Sequence, residues 1–569
     1  MSITINGRTV DFNPGDTVLK AARQAGIHIP SLCALECAVQ PAGACRVCIV
    51  EVEGMPRVQT SCTLLATHGM VVHTHSPKVL KLRRNIVELL LASHPDDCLY
   101  CGRNGNCELA ALALQLGVRE RHYLGAKKAH ALDVSSPALM RDPNKCILCG
   151  RCVTVCHVQQ KVGAIDFIGR GFRTQVAPGF ASGINVSGCI LCGQCVRACP
   201  TGALMEKSAV ADVLAALADP NKVVVAQVAP AVPATLLEAH PGLRTVPGTL
   251  EAVAGAFRRA GFQAVFDTTW AADLTIMEEA SELVQRVTSG GALPMFTSCS
   301  PGWIRYVELH RPDLIPHLST CKSPQQMAGS AIKAFYPQRV DLKGKGLYVV
   351  SVMPCTAKKY EAHDLGDVDA VLTTREVEDL LARCGLSLDT PGIGVPLDAP
   401  FAESTGAGRL FGGTGGVMEA AVRTAYKLVT GHELHEGPKL TDLRGTRGVK
   451  TLDVQVAAGL TLHCAVVNGL GEVGPILAEV TAGKSPYHFV EVMTCPGGCV
   501  GGGGQPYATD GHTVLGRLDR LYEVDRNATH RRSHENEEVQ SLYRDHLEAP
   551  LSEQSHHLLH RRYTPGERD

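Results

Sequence analysis

Two cysteine runs share one spacing: Cys146-x2-Cys149-x2-Cys152-x3-Cys156 and Cys189-x2-Cys192-x2-Cys195-x3-Cys199-Pro200. Eight thiolates at these intervals hold two [4Fe–4S] clusters, with the fourth cysteine of each run serving the other cluster. One set is then Cys146, Cys149, Cys152 and Cys199, and the other Cys189, Cys192, Cys195 and Cys156. Upstream, Cys33-x11-Cys45-x2-Cys48-x13-Cys62 suits a [2Fe–2S] cluster held mainly by one loop, although zinc also takes four thiolates. Cys37 falls inside the long gap and reads as a spare thiol. In His94-x3-Cys98-x2-Cys101-x5-Cys107 a histidine sits one helical turn before a Cys-x2-Cys. Spacing alone leaves zinc and a [4Fe–4S] cluster open there, and the neighbouring clusters favour iron–sulfur.

Four such centres in about 200 residues make an electron wire, so the rest of the chain is expected to house a redox reaction. Three later segments set cysteine beside glycine or proline: Thr297-Ser298-Cys299-Ser300-Pro301-Gly302-Trp303, Met353-Pro354-Cys355-Thr356-Ala357-Lys358-Lys359-Tyr360-Glu361, and Glu491 to Pro506 with Cys495 and Cys499. Thiols on separate loops can converge on one further cluster, with glycine letting backbone approach it closely. Buried structural thiols are the plain alternative, but glycine-rich surroundings pack a core poorly.

The elements that must position these groups differ along the chain. Of 23 cysteines sixteen precede residue 200, so the front reads as small ligand-stapled modules. The expected start is a strand from Ile3 to Val10, a Pro14-Gly15 turn and a helix from Val18 to Ala25. From about 210, β-rich runs (Val223–Val228, Gly261–Asp267, Leu347–Met353, His463–Val467) alternate with amphipathic stretches such as 273–288, which predicts α/β layering around a mostly parallel sheet. After about 507 the chain is polar and rich in His and Arg, with short helical patterns.

Composition narrows the function. Apolar residues at 45% and charged residues at 20% describe a globular chain rather than a disordered one. With 55 Lys+Arg against 56 Asp+Glu there is no basic field for nucleic acid. No apolar run reaches 18 residues, so no membrane span is expected. The start shows no basic stretch followed by an apolar core, so a reducing cytoplasm is expected, where cysteines serve metals more than bridges.

The three later segments resemble the [FeFe]-hydrogenases. The second fits that family's MPCxxKxxE signature, the third ExMxCxxGCxxGGGxP, and the first TSCCPxW at every position but one. The resemblance covers essentially the whole chain, since the front modules match the accessory-cluster arrangement of the large clostridial-type enzymes, and the strand-turn-strand-helix start resembles the ferredoxin β-grasp.

The resemblance implies an α+β and α/β multidomain chain. A β-grasp [2Fe–2S] domain would occupy 1–78, a small His/Cys cluster domain 79–138, a two-[4Fe–4S] ferredoxin-like domain 139–209, a large α/β catalytic domain 210–506 and a small-subunit-like segment 507–569. It implies one [2Fe–2S] cluster, three accessory [4Fe–4S] clusters and an H-cluster. The H-cluster is a [4Fe–4S] cubane joined through one thiolate to a two-iron unit with CO, cyanide and an azadithiolate. Carried over, Cys355, Cys495 and Cys499 ligate the cubane, Cys499 bridges, and Lys358 faces a cyanide, a buried cation offsetting an anion. Met353, Ser323-Pro324-Gln325 and Ala229-Pro230-Ala231 would line the cavity. The proton route matches Cys299, Glu279, Ser319 and Glu282, ending near Arg286. On spacing alone Glu279 and Glu282 share one helix face and read as its solvated edge; the resemblance makes them a buried relay.

The departure is Ser300, where the pattern has a second cysteine. The fourth cubane position falls to Ser300, Cys299 or Cys321, and sequence leaves these open. The serine form implies a multisubunit, NAD(P)-linked member. Partners are then a flavin-containing NAD(P)-binding subunit and/or ferredoxin, with H2 and protons as substrates and dedicated maturation proteins.

Gly469-x-Gly471-x-x-Gly474 with Glu491 downstream imitates a dinucleotide fingerprint, but Pro475 follows at once and no βαβ unit is expected there. Gly412 to Gly416 lacks the lysine of a phosphate loop and is expected at a close backbone approach or the start of a helix. The rival readings are a non-catalytic electron-transfer subunit and a hydrogenase-like assembly or sensor protein. The first leaves Cys355, Cys495, Cys499 and Lys358 without a task, and the retained Cys299 thiol and the Lys358 motif speak against the second.

Overall fold

The computed structural model describes every residue except 39–40, 121, 435–439, 447, 458–459, 508 and 567–569. The chain divides into two compact units, residues 1–189 with 198–205, and residues 190–197 with 206–569.

The first unit opens with a hairpin where one strand was expected. Strands β1 (Ser2–Ile5) and β2 (Arg8–Asp11) pair antiparallel, because Asn6 and Gly7 adopt φ of 51° and 81°. Asn-Gly is the pair that accepts this left-handed turn most readily. Strands β3 (Ile49–Val52), β4 (Gln59–Thr60) and β5 (Val71–His73) complete a sheet in the order β2-β1-β5-β3-β4, with β1 and β5 parallel. Helix α1 (Val18–Gln24) starts where Thr17 Oγ1 accepts from the Lys20 amide. It buries Val18, Leu19, Ala21 and Ala22 in a core with Ile3 and Ile5. Helix α2 (Pro77–Ala92) starts after the Ser76 cap with proline in its first turn, where a missing N–H costs nothing. Helix α3 (Glu108–Gln115) sets Leu109 and Leu112 in a small core with Val87 and Cys149.

The second unit has two four-stranded sheets. Strands β6 (Lys222–Val228), β7 (Ala264–Asp267), β9 (Gly346–Met353) and β10 (Ala370–Thr373) form a wholly parallel sheet, β7-β6-β9-β10. Strands β8 (Met295–Phe296), β11 (Val449–Ala457), β12 (Leu460–Asn468) and β13 (Phe489–Met493) form the order β8-β13-β12-β11, parallel except at β11. A βαβ unit does run from β12 through the helix Gly474–Thr481 to β13, contrary to the sequence expectation. Pro475 fits because it falls in the first turn of that helix.

Helix α4 (Thr268–Ser289) joins the two halves of this unit. It starts earlier than its amphipathic stretch suggests, because Asp267 caps it by accepting from the Thr269 amide. Trp270, Ala271 and Leu274 enter the core of the first sheet, while Ala272, Ile276 and Leu283 enter that of the second. A helix buried on both sides must satisfy its carboxylates inside the protein, and α4 buries Glu278, Glu279 and Glu282. The polar tail also contributes to the core: Val539, Leu542, Tyr543, Leu547 and Leu559 pack with the first sheet.

Candidate active site and cluster sites

In the first unit Cys33, Cys45, Cys48 and Cys62 are buried together. Cys33 lies within hydrogen-bonding reach of Cys45 and Cys62, and Cys48 of Cys62. The Cys45 and Cys62 thiols hold Cys33 well below the usual thiol range, and Cys62 draws Cys48 down to about 6. The buried Arg83 fixes the loop, donating to the Val47, Ile49 and Thr74 carbonyls. The same contacts push Cys45 and Cys62 up, so the four thiols share protons among themselves, and four sulfurs gathered beside the buried Arg83 cation fit an anionic cluster. Cys37 is half-exposed.

His94 is buried with its Nδ1 3.1 Å from the Pro95 carbonyl, leaving Nε2 buried without a hydrogen-bond partner. Burial pushes its pKa down, so the ring is neutral and Nε2 offers a lone pair, as a metal ligand must. Cys98 is exposed, Cys101 and Cys107 are half-buried, and a Cβ at Gly202 would stand 2.8 Å from Cys101 Sγ. Cys146, Cys149, Cys152 and Cys199 line one cavity, with Pro200 and Leu204. Leu148 holds φ of 56°, and so does Leu191 at the matching place in the second run. A bulky residue adopts this backbone only where its surroundings impose it, so both runs are built to one loop shape. Cys156 and Cys189 belong to the first unit, Cys192 and Cys195 to the second.

In the second unit three strand ends meet at one mostly apolar cavity. Ala229-Pro230-Ala231 follows β6, Pro354-Cys355 follows β9 and Thr494-Cys495 follows β13. Crevices beyond the carboxyl ends of parallel strands are where open α/β folds place their ligands. Helices α5 (Pro301–His310), α6 (Pro324–Arg339) and α7 (Ala357–Leu365) begin with residues of the same wall, presenting helix N-termini that favour negative charge. Met353, Pro324, Gln325, Lys358, Cys299, Ser300, Cys355, Cys495 and Cys499 all line the cavity. Close backbone contact needs glycine here: a Cβ at Gly502 would stand 2.2 Å from the Pro354 carbonyl oxygen.

Burial and the neighbouring Cys495 and Cys499 push Cys355 up to about 12, and burial with Cys495 pushes Cys499 up to about 11. Burial pushes Cys495 up as well. Three buried thiols lining one pocket, each raised by burial, ionise together only around bound cations, which is the donor chemistry of an iron–sulfur cluster. Lys358 Nζ donates to Ser323 Oγ at 2.7 Å, Glu361 Oε2 at 2.8 Å and the Cys299 carbonyl at 3.3 Å. Ser323 is not in the cavity wall, contrary to expectation; it stands behind Lys358 and donates to Glu361 at 2.8 Å. Glu361 is thus the missed partner of Lys358, and its signal was the i,i+3 spacing within the second motif.

Cys299 and Ser300 diverge. Cys299 is held well above the usual thiol range by burial and then by the Glu279 carboxyl, so it carries its proton. Ser300 Oγ lies 2.8 Å from Thr494 Oγ1, beside Cys495. Cys321 lines no part of this cavity; its Sγ lies 3.8 Å from Glu282 Oε2. Glu279 and Glu282 are buried rather than a solvated edge. Burial and then the Glu282 charge push Glu279 up to about 8, and its Oε2 has no hydrogen-bond partner. Ser319 Oγ donates to Glu282 Oε2 at 2.9 Å, and Arg286 Nη2 to Glu282 Oε1 at 2.6 Å.

Glu491 accepts from the Gly415 and Met418 amides at 2.7 Å each, holding the start of helix α8 (Gly416–Thr430). It cannot serve a ribose, so the dinucleotide imitation fails, and Gly412 to Gly415 form the turn that leads into the helix beginning at Gly416, as expected of a helix entry.

Residues 222–503 match the family described as iron only hydrogenase large subunit, C-terminal domain. Residues 1–77 match a 2Fe-2S cluster binding domain, 83–122 the NADH-ubiquinone oxidoreductase-G iron–sulfur binding region, 145–203 a 4Fe-4S dicluster domain and 512–566 the iron hydrogenase small subunit. The NADP-reducing hydrogenase subunit HndD of Solidesulfovibrio fructosivorans is 45% identical, covering 100% of this chain and 99% of its own. Iron hydrogenase 1 of Clostridium pasteurianum is 38% identical over 99% of both chains. A structure of a variant of apo [FeFe]-hydrogenase HydA1 from Chlamydomonas reinhardtii superposes with a TM-score of 0.54 at 40% identity, over 63% of this chain and 100% of that one. Motifs, cavity and relatives agree along the length of the chain, which belongs to the iron-only, or [FeFe], hydrogenases, enzymes that interconvert H2 with protons and electrons.

Proposed function

We propose that this chain is the catalytic subunit of a cytoplasmic, multisubunit hydrogenase whose electrons are exchanged with NAD(P) through a flavin-containing subunit, with ferredoxin as a further or alternative partner. The similarity to an NADP-reducing hydrogenase subunit supports that setting. No described helix is long and apolar enough to cross a membrane.

Cys33, Cys45, Cys48 and Cys62 hold a [2Fe–2S] cluster, and His94, Cys98, Cys101 and Cys107 a [4Fe–4S] cluster. Two more [4Fe–4S] clusters use Cys146, Cys149, Cys152 and Cys199, and Cys189, Cys192, Cys195 and Cys156. The boundaries 78, 138, 209 and 506 separate these modules, the catalytic domain and the small-subunit-like tail. Cys355, Cys495 and Cys499 hold the cubane of an H-cluster whose two-iron unit, with CO, cyanide and azadithiolate, is installed by maturation proteins. When bound, that centre supplies the redox chemistry of H2.

The chain's own residues do the rest. Lys358 sets a buried cation against an anionic ligand, and Glu361 and Ser323 hold it there. Ala229, Pro230, Ala231, Pro324, Gln325 and Met353 keep the cavity mostly apolar and exclude water. Cys299 holds a proton at the cavity wall and passes it to Glu279, whose pKa of about 8 suits exchange near neutral pH. Ser319 and Glu282 continue that route. Ser300, with its hydroxyl on Thr494, stands in the fourth position of the cubane wall.

The single observation that carries this reading is one cavity walled by Cys299, Cys355, Cys495, Cys499 and Lys358. Infrared spectra of the matured protein should contain bands of metal-bound CO and cyanide, and reduced dye should drive H2 evolution. An electron-transfer subunit or assembly protein would give neither. Purification from native extract should bring down a flavoprotein; a lone chain reduced only by ferredoxin would leave the free-standing alternative.

A further inference from the structure

Glu282 has two exits, and the obvious one is plugged. Arg286 lies over the carboxylate, with its guanidinium bonded to Glu282 Oε1 at 2.6 Å and to the Ala292, Pro316 and Leu318 carbonyls at 3.3, 3.2 and 2.6 Å. A guanidinium keeps its protons at any working pH and so cannot relay one. On the other side, the Glu282 carboxylate, Cys321 Sγ and a ring nitrogen of His560 all lie within 4.8 Å of one another, and all three residues are buried. Cys321 Sγ is 3.8 Å from Glu282 Oε2.

His560 is wired on both nitrogens. Nδ1 meets Thr320 Oγ1 at 2.8 Å, and the Thr320 amide donates to Glu282 at 3.0 Å. Nε2 meets Glu278 Oε2 at 3.1 Å, and Tyr543 donates to Glu278 Oε1 at 2.6 Å. An imidazole held this way can take a proton on one nitrogen and release it from the other. Four residues earlier on the last helix, α9 (Glu553–Leu559), exposed His556 lays its ring on His560, with centroids 4.2 Å apart. The i,i+4 spacing keeps the two rings on one helix face.

We propose that protons leave or reach Glu282 through His560, by way of the Cys321 thiol between them, with Thr320 holding the imidazole in place, and meet solvent at His556. This rests on the hydrogenase reading and adds a second branch to its relay. Each transfer moves one proton: the imidazolium formed at His560, whose nitrogens face Thr320 and Glu278, releases its proton to a water entering beside the paired rings, and exposed His556 takes a proton from that water and gives it to bulk solvent. The groups that face this path are Glu278, Glu282 and Arg286 on α4, then Cys321, Tyr543, Arg561 and Tyr563. Burial opposes ionisation of Glu278, but His560 and Tyr543 more than offset it, so an anion stands ready to hold the imidazolium.

The test uses the full, matured chain with dye-driven H2 evolution in dilute non-coordinating buffer. His556→Ala changes only an exposed ring, and His560→Gln keeps hydrogen-bonding ability without proton relay. Both should slow turnover by about tenfold or more, with infrared bands of bound CO and cyanide unchanged and the pH profile shifted. Added imidazole should restore His556→Ala, since a small base in solution can replace a surface one. A purely structural role for His560 would show as altered bands or loss of folded protein without imidazole rescue of His556→Ala, and overturns the proposal. Wild-type rates and pH profiles in both variants overturn it as well, with the hydrogenase reading intact. Wild-type protein lacking bands and turnover would remove that reading itself.

Discussion

The proposed cluster ligands of the first unit stand mostly in short local runs, and the proposed cubane ligands of the second come from segments far apart in the chain. Cys45 and Cys48 sit on one loop before β3, and Cys146 and Cys149 on another that leads into the short helix Arg151–Thr154 carrying Cys152. Cys355 and Cys495 are 140 positions apart and meet only because β9 and β13 end at the same cavity. A local loop needs special backbone, such as Leu148 at φ 56°, but little of the surrounding fold. A cavity made from strand ends needs two whole sheets and α4 in register between them. Damage should therefore stay local in the first unit and spread in the second.

The largest expected effect follows from breaking the distant convergence. Cys499→Ser removes a thiolate that no neighbouring loop can replace, so infrared bands of bound CO and cyanide should vanish and H2 evolution should fall to background. Retained bands in this variant would end the assignment of Cys499. Next is the relay. Glu279→Gln keeps the shape of the carboxyl but not its proton transfer, so turnover should fall by about a hundredfold to ten-thousandfold with the bands unchanged.

The same substitution has a pH signature. The Glu279 carboxyl has an ordinary value of 4.5 and is pushed up to about 8 in the fold. Between these values the folded chain holds a proton that the unfolded chain has released, so this contribution is complete below 4.5 and is lost as pH rises through 8. Glu279→Gln has nothing to ionise. Its melting temperature should match wild type at low pH and exceed it at pH above about 8. An unchanged gap across pH would mean that Glu279 is not buried as described.

Much of this division was legible in the residues. The doubled cysteine run announces its chemistry because three of the four proposed ligands of each cluster lie within seven positions and the fourth comes from the matching run. Cys355, Cys495 and Cys499 are legible only through motifs, since no spacing connects strand ends that depend on sheet order. Glu279 and Glu282 show the limit of periodicity. Their i,i+3 spacing fits a wet helix edge, and burial follows only from α4 being packed on both sides. The βαβ unit at β12 was hidden by Pro475, which reads as a breaker until it is seen to occupy a helix start. His560 gave no signal at all, because its partners Glu278 and Thr320 lie more than 200 positions away.

Smaller effects sharpen the contrast from the other side. Lys358→Met leaves Glu361 buried without its cation, which costs about 3–5 kcal/mol. That loss should lower the melting temperature of the second unit and leave the electron paramagnetic resonance of the accessory clusters untouched.

The smallest effect belongs to a single glycine. A Cβ at Gly202 would stand 2.8 Å from Cys101 Sγ and 3.2 Å from Lys145 Cδ, both within the first unit. Gly202→Ala must push aside a sulfur that sits beside a lysine, but no strand or helix depends on that position. One accessory cluster should then show shifted resonance or a changed midpoint potential, while the bands of bound CO and cyanide and dye-driven H2 evolution stay as in wild type. Loss of those bands would mean that the first unit is not locally built. The difference between its loops and the strand-end cavity would then be one of spacing alone, not of how far each site depends on the fold around it.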